Sequence, residues 1–401
     1  MSKRFSIGTV IVLLVLAIVL TFQITFVAVS KKYTAALNEL SVNLGAYSKL
    51  SEVDAIYRSY YIGEIDEDTL SDMIIHGYVA GTGDRYAYYM NREQFAESMS
   101  DLSADMVGVG VIVIYSELGI EVISVMPDSP ALEAGVLPGD IIVKVEGELV
   151  SELGYAGAVN KVLGEDGTDA RFTVLRGDEM IDFTVTRAHI TEISVMSRVY
   201  ELDETVGVIR ILEFDLATPL QLKEAYDRLT AAGVSRIVFD VRYNSGGELE
   251  SVCSILDLLL PEGPIIHIED AEGNRETINS DEFFYDLPIA VLVNESTASA
   301  AELFACALKD YDRAELVGTT TFGKGTMQRI LPLSDGSGLA VSYRMYLPPY
   351  SECYEGIGVE PDYICELDEA LLSKNIYKIT DAEDNQLARA VEVLNGVNLA
   401  E

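Results

Sequence analysis

IAVLVNESTASAAELFACALKDYDRAELVG, residues 289–318, is the stretch that decides the fold. It opens with IAVLVN (289–294), an apolar run of strand length. Small polar residues follow, then a helical stretch from about Ser299 to Lys309, and AELVG (314–318) returns to strand. Strand–helix–strand is the repeating unit of a mostly parallel sheet covered by helices. The same alternation runs upstream. VGVIRIL (206–212) is a strand, and Thr218-Pro219-Leu220-Gln221 opens a helix that stops before Gly233. Thr218 is expected to cap it, with Pro219 in the first turn and Gln221 as the reciprocal partner. RIVFDV (236–241) is the next strand, followed by the loop RYNSGG and a helix from about Leu249 to Leu260. An α/β core is therefore expected over residues 191–368.

Away from this core the pattern changes. GVGVIVIY (108–115), IEVISVM (120–126), DIIVKVEGELV (140–150) and ARFTVLRG (170–177) are short β runs separated by turns. A helix is expected from Leu153 to Leu163, so residues 101–190 form a β-rich unit inserted before the core. Residues 33–100 are mainly helical in pattern. Leu37, Leu40, Leu44 and Tyr47 keep three- and four-residue spacing, and a second helix over Thr69–Ala80 ends at Gly81-Thr82-Gly83. His76 on that helix is expected to be structural. The tail, residues 369–401, carries a final amphipathic helix, with Thr380 and Glu383 as its capping box.

Residues Ile7 to Val29 carry no charge and are flanked by Lys3, Arg4, Lys31 and Lys32. At about 1.5 Å per residue such a helix crosses a hydrocarbon core of roughly 30 Å. A cleaved signal has a shorter apolar run, although Ala28-Val29-Ser30 could serve as its cleavage site. Residues 1–32 are therefore expected to be a signal anchor, with the transmembrane helix at about 7–29. The bases on both flanks leave its orientation open.

The 401 residues carry 28 Lys+Arg against 65 Asp+Glu, a formal charge of −37. No basic footprint for nucleic acid exists. With 49% hydrophobic residues the chain buries a sizeable core and is not disordered. Cys253, Cys306, Cys353 and Cys365 are widely spaced, as are the three histidines, and no H-E-x-x-H occurs, so no metal site is expected. A disulfide among the four cysteines is open if the domain is exported.

In α/β sheets reactive groups gather where a strand's carboxyl end meets a helix start. VNESTASAAEL (293–303) is such a place, and a serine there is exposed beside the Ala300 N–H. Ser299 with Glu302 also fits a plain capping box. No histidine lies near a candidate serine, no G-x-S-x-G elbow exists, and no serine has lysine three positions on. A distant lysine made neutral by burial is the remaining base. Lys324, between Gly323 and Gly325 in GTTTFGKGTMQ (318–328), is the candidate. It would need to fall from about 10.4 to roughly 7–8. The same segment mimics a phosphate-binding loop, but Gly325 stands where Ser or Thr must hold magnesium.

VNESTASAAEL and GTTTFGKGTMQ, with Lys324 25 residues after Ser299 and Gln328 four beyond it, resemble the carboxyl-terminal processing peptidases. These tail-specific proteases use a Ser/Lys dyad. In the family's S-A-S-A-S-E-like run the central serine matches Ser299, while Thr297 and Ala301 replace the outer ones. The resemblance implies Ser299 as nucleophile, Lys324 as general base and Gln328 as the residue holding the lysine. FDVRYNSGGELE (239–250) is similar to the family's D-x-R-x-N-x-G-G loop, implying an oxyanion hole from Ala300 with Gly246 or Gly247. DRYAYYMNREQF (84–95) resembles a segment that normally begins Asp-Pro, and here Arg85 departs from it. SDGSGLAVSYRMYLPP (334–349) and GIGVEPD (356–362) match the closing strands of the core.

SPALEAGVLPGDIIVKVEGE (129–148) resembles a PDZ domain, whose carboxylate-binding loop would be Gly108, Val109, Gly110 and Val111. Such domains take a peptide as an added strand. The resemblance implies a crotonase-like protease core with an inserted PDZ domain, helical termini and one transmembrane helix. It further implies an extracytoplasmic, membrane-anchored bacterial serine endopeptidase without cofactor, acting on proteins with free C-termini and dimerising through its helical termini. Two other readings are a catalytically silent PDZ adaptor and an acyl-CoA enzyme on the same shape; the second has no sequence support.

Overall fold

All five residues of the strand Ile289–Val293 are buried, as befits a strand covered on both faces. In the computed structural model, which describes residues 47–103, 107–190 and 193–396, this strand lies inside a six-stranded sheet. Its order is Val195–Tyr200, Asp203–Ile211, Arg236–Asp240, Ile289–Val293, Ala314–Gly318 and Tyr363–Ile364. The first pair is antiparallel, and every later pair is parallel. Side chains alternate between two cores. Ile237, Phe239, Val291 and Val293 face the helices Thr218–Ala231, Leu249–Asp257 and Ala300–Asp310. Val238, Ala290 and Leu292 face Leu387, Ala390 and Val391 of the last helix, Asn385–Leu394. Ala300 through Leu308 are all buried, so the helix that follows Ser299 is wrapped on every side.

A second sheet of five antiparallel strands packs with this core. Its order is Tyr88–Met90, Gly338–Leu347, Gly263–Asp270 and Arg275–Ser280, with Thr326–Pro332 also paired to Gly338–Leu347. Periodicity does not announce the hairpin 263–280, because its second strand, RETINS, has no apolar face. Of the two closing segments, 338–347 is a strand, whereas 356–362 is loop and only Tyr363–Ile364 beyond it pairs.

The inserted domain contains strands Val111–Ser116, Gly119–Val125, Ile141–Val145, Asp169–Arg176 and Glu179–Thr186, closing on one apolar core. Three expectations change here. Residues 108–115 are not one strand, since Gly110 turns with φ 85° and the edge strand starts at Val111. Residues 140–150 split at Glu146-Gly147, where both φ values are positive, as a tight hairpin turn demands. The helix begins at Val150, not Leu153, and is broken at Gly154. The strand Glu179–Thr186 goes unmarked in the sequence reading.

Two of the three expected capping boxes, those at Thr218 and Thr380, are corrected. Thr218 is the first helical residue, not the cap. The Asp215 carboxylate instead accepts from the N–H groups of Ala217 and Thr218, at 2.7 and 2.8 Å. Gln221 Oε1 accepts from the N–H groups of Ser194 and Val195, at 3.0 and 3.1 Å. Thr380 and Glu383 do bond, but the last helix starts at Asn385 under an Asp384 cap. Lys378, just ahead of it, pairs with Glu121 of the inserted domain.

The chain divides into two compact units at Ile74. The first unit includes a helix over residues 47–60 and the start of the helix Glu67–Gly81. Arg58 joins them through Asp54 at 2.8 Å and Glu67 at 2.5 Å. Val53, Ile56, Tyr57, Tyr60 and Ile62 on this unit are exposed. In the second unit His76 packs edge-on against Tyr89 at 5.3 Å, a structural role. The apolar run 7–29 and most of the Leu37–Tyr47 seam lie outside the described residues. Among those described, no helix is long and apolar enough to cross a membrane. Cys253, Cys306, Cys353 and Cys365 are all free thiols.

Candidate active site

Ser299 sits at the carboxyl end of the strand Ile289–Val293, immediately before the helix Ala300–Asp310. Its backbone adopts φ 57°, ψ −119°, a sparsely populated region costing about 1–3 kcal/mol for a residue with a Cβ. Neighbouring hydrogen bonds hold it there. The N–H of Ala298 donates to the Asn244 carbonyl at 2.9 Å, Thr297 Oγ1 donates to the Val241 carbonyl at 2.9 Å, and the N–H of Tyr243 donates to Asn294 Oδ1 at 3.0 Å. The serine turn and the loop after strand Arg236–Asp240 are thus one knitted body. A sharp strand-to-helix turn of this kind presents its side chain outward.

The fully buried Glu302 carboxylate organises the site. Oε2 accepts from the N–H of Ser299 at 2.9 Å and of Lys324 at 2.7 Å. Oε1 accepts from the N–H of Gly323 at 2.6 Å and from Thr321 Oγ1 at 2.5 Å. The capping expectation for Glu302 captures only the first of these four bonds. Glu302→Gln would turn an amide N–H₂ toward N–H donors. Charge-assisted bonds of this kind contribute about 1.5–3 kcal/mol each, and an ångström-scale displacement costs roughly a hundredfold in rate. We expect kcat/KM to fall by about that factor and the unfolding midpoint to drop; unchanged kinetics would show that the two loops hold their places without the carboxylate.

Lys324 is half-buried and its amine donates to Gln328 Oε1 at 2.8 Å. The Gln328 amide in turn donates to the Tyr86 carbonyl. Tyr86 also places its ring 5.2 Å from the Lys324 amine and its hydroxyl 3.1 Å from the Gly323 carbonyl. Burial pulls the lysine below its ordinary pKa, while the carboxylates of Glu355 and Glu302 oppose that shift without cancelling it. Contact and backbone conformation require the glycine at 323, and the space at 325 is tight. A Cβ on Gly323 (φ 89°) would meet the Gly358 N–H at 2.9 Å, and one on Gly325 would press on Cys353 and Glu355 at 3.1 Å. Tyr86 is missed by sequence reasoning; the only signal was its place in DRYAYYMNREQF.

Gly246 (φ 112°) touches the Ser299 turn: a Cβ there would lie 2.8 Å from Ser299 Cβ and 3.0 Å from the Ala300 nitrogen. Gly247 (φ 135°) abuts the Phe214 carbonyl, which its Cβ would meet at 2.3 Å. The N–H of Gly246 donates to Asn244 Oδ1 at 2.8 Å. Ser299, Ala300, Gly246, Lys324 and Gln328 therefore belong to one connected cluster, although among the described residues no hydrogen bond joins Ser299 Oγ to the Lys324 amine. In the inserted domain, Gly108, Val109, Gly110 and Val111 line an apolar cavity of about 60 Å³ with Val159 and Val162.

Comparison with known proteins accords with this arrangement. The PDZ domain profile matches residues 106–186, and that of Peptidase family S41 matches residues 205–365. A Staphylococcus aureus (strain N315) protein named "Probable CtpA-like serine protease" is 33% identical over 360 residues, covering 89% of this chain and 70% of that one. The chain belongs to peptidase family S41. Within that family it is a CtpA-type carboxyl-terminal processing peptidase, a serine protease with a PDZ domain. A Staphylococcus saprophyticus relative of the same name is 29% identical over 396 residues, covering 96% of this S41 protease and 78% of the relative. A Bacteroides fragilis NCTC 9343 structure assigned to the S41 proteases shares the fold, with a TM-score of 0.55 at 17% identity over 86% of this chain and 97% of that one.

Proposed function

We propose that this protease is a membrane-anchored endopeptidase in which Ser299 is the nucleophile and Lys324 the general base. Ser299 Oγ bonds to the scissile carbonyl carbon as its proton passes to the neutral Lys324 amine. The C–N bond then breaks and the ammonium returns that proton to the leaving amine. Water, deprotonated by the same lysine, hydrolyses the acyl-serine ester. Gln328 orients the amine. The N–H groups of Ala300 and of Gly246 or Gly247 stabilise the oxyanion, a contribution of about 3 kcal/mol per donor. Contact with the serine turn favours Gly246, whose N–H must then be shared with Asn244 Oδ1. The observation that carries this reading is the Glu302 carboxylate, which fastens the backbones of Ser299 and Lys324 to the same oxygen, Oε2. The missing Ser299–Lys324 bond is compatible with it, since catalytic contacts often close only on substrate.

Substrates are proteins whose free C-termini enter the PDZ domain, the carboxylate meeting the backbone of Gly108, Val109, Gly110 and Val111. The run Ile7–Val29 anchors the enzyme with its catalytic portion outside the cytoplasm, and two copies associate through their helical termini. The exposed apolar side chains of the residue 47–74 unit support this last point.

The lysine base makes a signed prediction. Lys324 is active when neutral, so kcat/KM rises with pH through its lowered pKa and levels off above it. Lys324→Arg is expected to be nearly inactive throughout, because guanidinium stays protonated. Both would be assayed between pH 6 and 9 on an unfolded protein with an apolar C-terminus, the fragments being read by mass spectrometry. A flat wild-type profile with chemistry rate-limiting, or an active arginine variant, would remove the lysine from the base role.

A further inference from the structure

Tyr155 crosses the groove of the PDZ domain. The strand Val111–Ser116 ends its sheet, so among the described residues its outer backbone edge is unpaired by any strand. Helix Val150–Val162 forms the opposite wall, and Val159 and Val162 line the cavity together with Val111 and Val113. Tyr155, Val159 and Val162 stand four and three residues apart and share one helix face. From that face the Tyr155 hydroxyl donates to the Val113 carbonyl at 3.1 Å, spanning helix and strand. Gly154 makes this reach possible: at φ 71°, ψ 169° it breaks the helix and lets a new turn begin at Tyr155. Glycine is the residue suited to that conformation.

We propose that Tyr155 is a latch that holds the peptide groove closed when no ligand is bound. The proposal rests on the reading that this groove takes C-terminal peptides. A peptide whose carboxylate sits at Gly108–Val111 runs antiparallel to the edge strand. Its last residue lies beside Val111, and the residue two before it lies beside Val113, about 7 Å along the strand. That residue's amide must bond the carbonyl that Tyr155 already holds. The carbonyl has a second lone pair, so the obstruction is the tethered ring lying across the slot. Longer peptides have to swing it out, whereas a dipeptide fills only the terminal cavity and does not meet it.

The test uses the full chain carrying Ser299→Ala, with and without Tyr155→Phe. A fluorescein-labelled decapeptide ending Ala-Ala-Val is titrated as the free acid and as the C-terminal amide, and unlabelled Ala-Val is used as a competitor. Without the hydroxyl the ring is untethered, and the free-acid decapeptide is expected to bind roughly three- to tenfold tighter. The dipeptide should compete equally well in both proteins. Equal or weaker decapeptide binding by Tyr155→Phe, confirmed with Tyr155→Ala, overturns the latch while leaving peptide capture standing. A parallel gain for the dipeptide also overturns it, since the change would then lie in the terminal cavity. If neither protein distinguishes acid from amide, carboxylate capture fails and the latch fails with it. Matching thermal unfolding of the variants excludes misfolding as the source of any difference.

Discussion

Ser299→Ala is expected to lower turnover by about four to six orders of magnitude while leaving capture of a C-terminal peptide unchanged. The side chain lost is one hydroxyl; what holds the turn is backbone. Glu302 bonds the N–H of residue 299, and Asn244, Val241 and Asn294 hold the residues around it. Alanine carries the same Cβ into the same unfavourable φ, so the conformation costs what serine costs and the loop has no new reason to move. The PDZ cavity is built from other residues altogether. Fragment analysis by mass spectrometry alongside peptide titration separates the two effects. A variant that still cuts at the same bonds would place the nucleophile elsewhere.

The second large effect concerns stability. Asp240 is buried and accepts from Arg210 at 2.5 and 3.0 Å and from the Arg242 side chain at 2.8 and 2.9 Å. Arg242 continues to Asp384 at 2.7 Å and Gln386 at 2.8 Å, tying the loop after strand Arg236–Asp240 to the last helix. Burial alone would push the Asp240 carboxyl up, but the two guanidiniums outweigh it and hold it well below the usual carboxylate range. Asp240→Asn keeps the shape and removes the charge, leaving Arg242 buried with half its compensation. Breaking such a pair costs about 3–5 kcal/mol. The sign with pH follows from the depressed value. The carboxylate's contribution is complete above its unfolded pKa of about 3.9 and drains away as pH falls below it. Denaturant unfolding should therefore show a constant gap between wild type and variant from pH 5 to 9 that narrows in acid. A gap under about 1 kcal/mol at neutral pH would show the network to be dispensable.

Much of the central sheet was legible because Asp203–Ile211, Arg236–Asp240 and Ile289–Val293 carry apolar runs and each is followed by an amphipathic or apolar helix. Val238 and Phe239, adjacent in sequence, feed opposite cores, and a continuous run such as RIVFDV records that. The hairpin 263–280 was not legible because its first strand is placed by pairing with Gly338–Leu347, His267 lying opposite Leu347, and its second strand only by pairing with the first; local pattern carries no trace of that. At the candidate site, Ser299 and Lys324 were visible as a serine at a strand-to-helix junction and a lysine between glycines, whereas Gly246 and Gly247 were visible only through the family resemblance. Glu302 was visible only as a cap, since the three donors it gathers from residues 321–324 come from a separate loop. Tyr86 and Tyr155 were invisible for the same reason: each acts across a tertiary contact, and a tyrosine in an ordinary segment carries no motif.

The small sheet that joins Val107–Gly108 to Ala188–His189 has a consequence for how such a protein is assembled. It brings the entry and exit of the PDZ domain side by side, with Val107 opposite His189. Facing residues in antiparallel strands stand only about 5 Å apart. To the chain on either side, some eighty residues of insertion therefore behave as a very short connection. The entropy of closing a loop that long is met by the guest domain's own folding and is not charged to the host. A domain spliced in this way can be exchanged for another with neighbouring termini, so the recognition module and the cutting module can change independently in evolution.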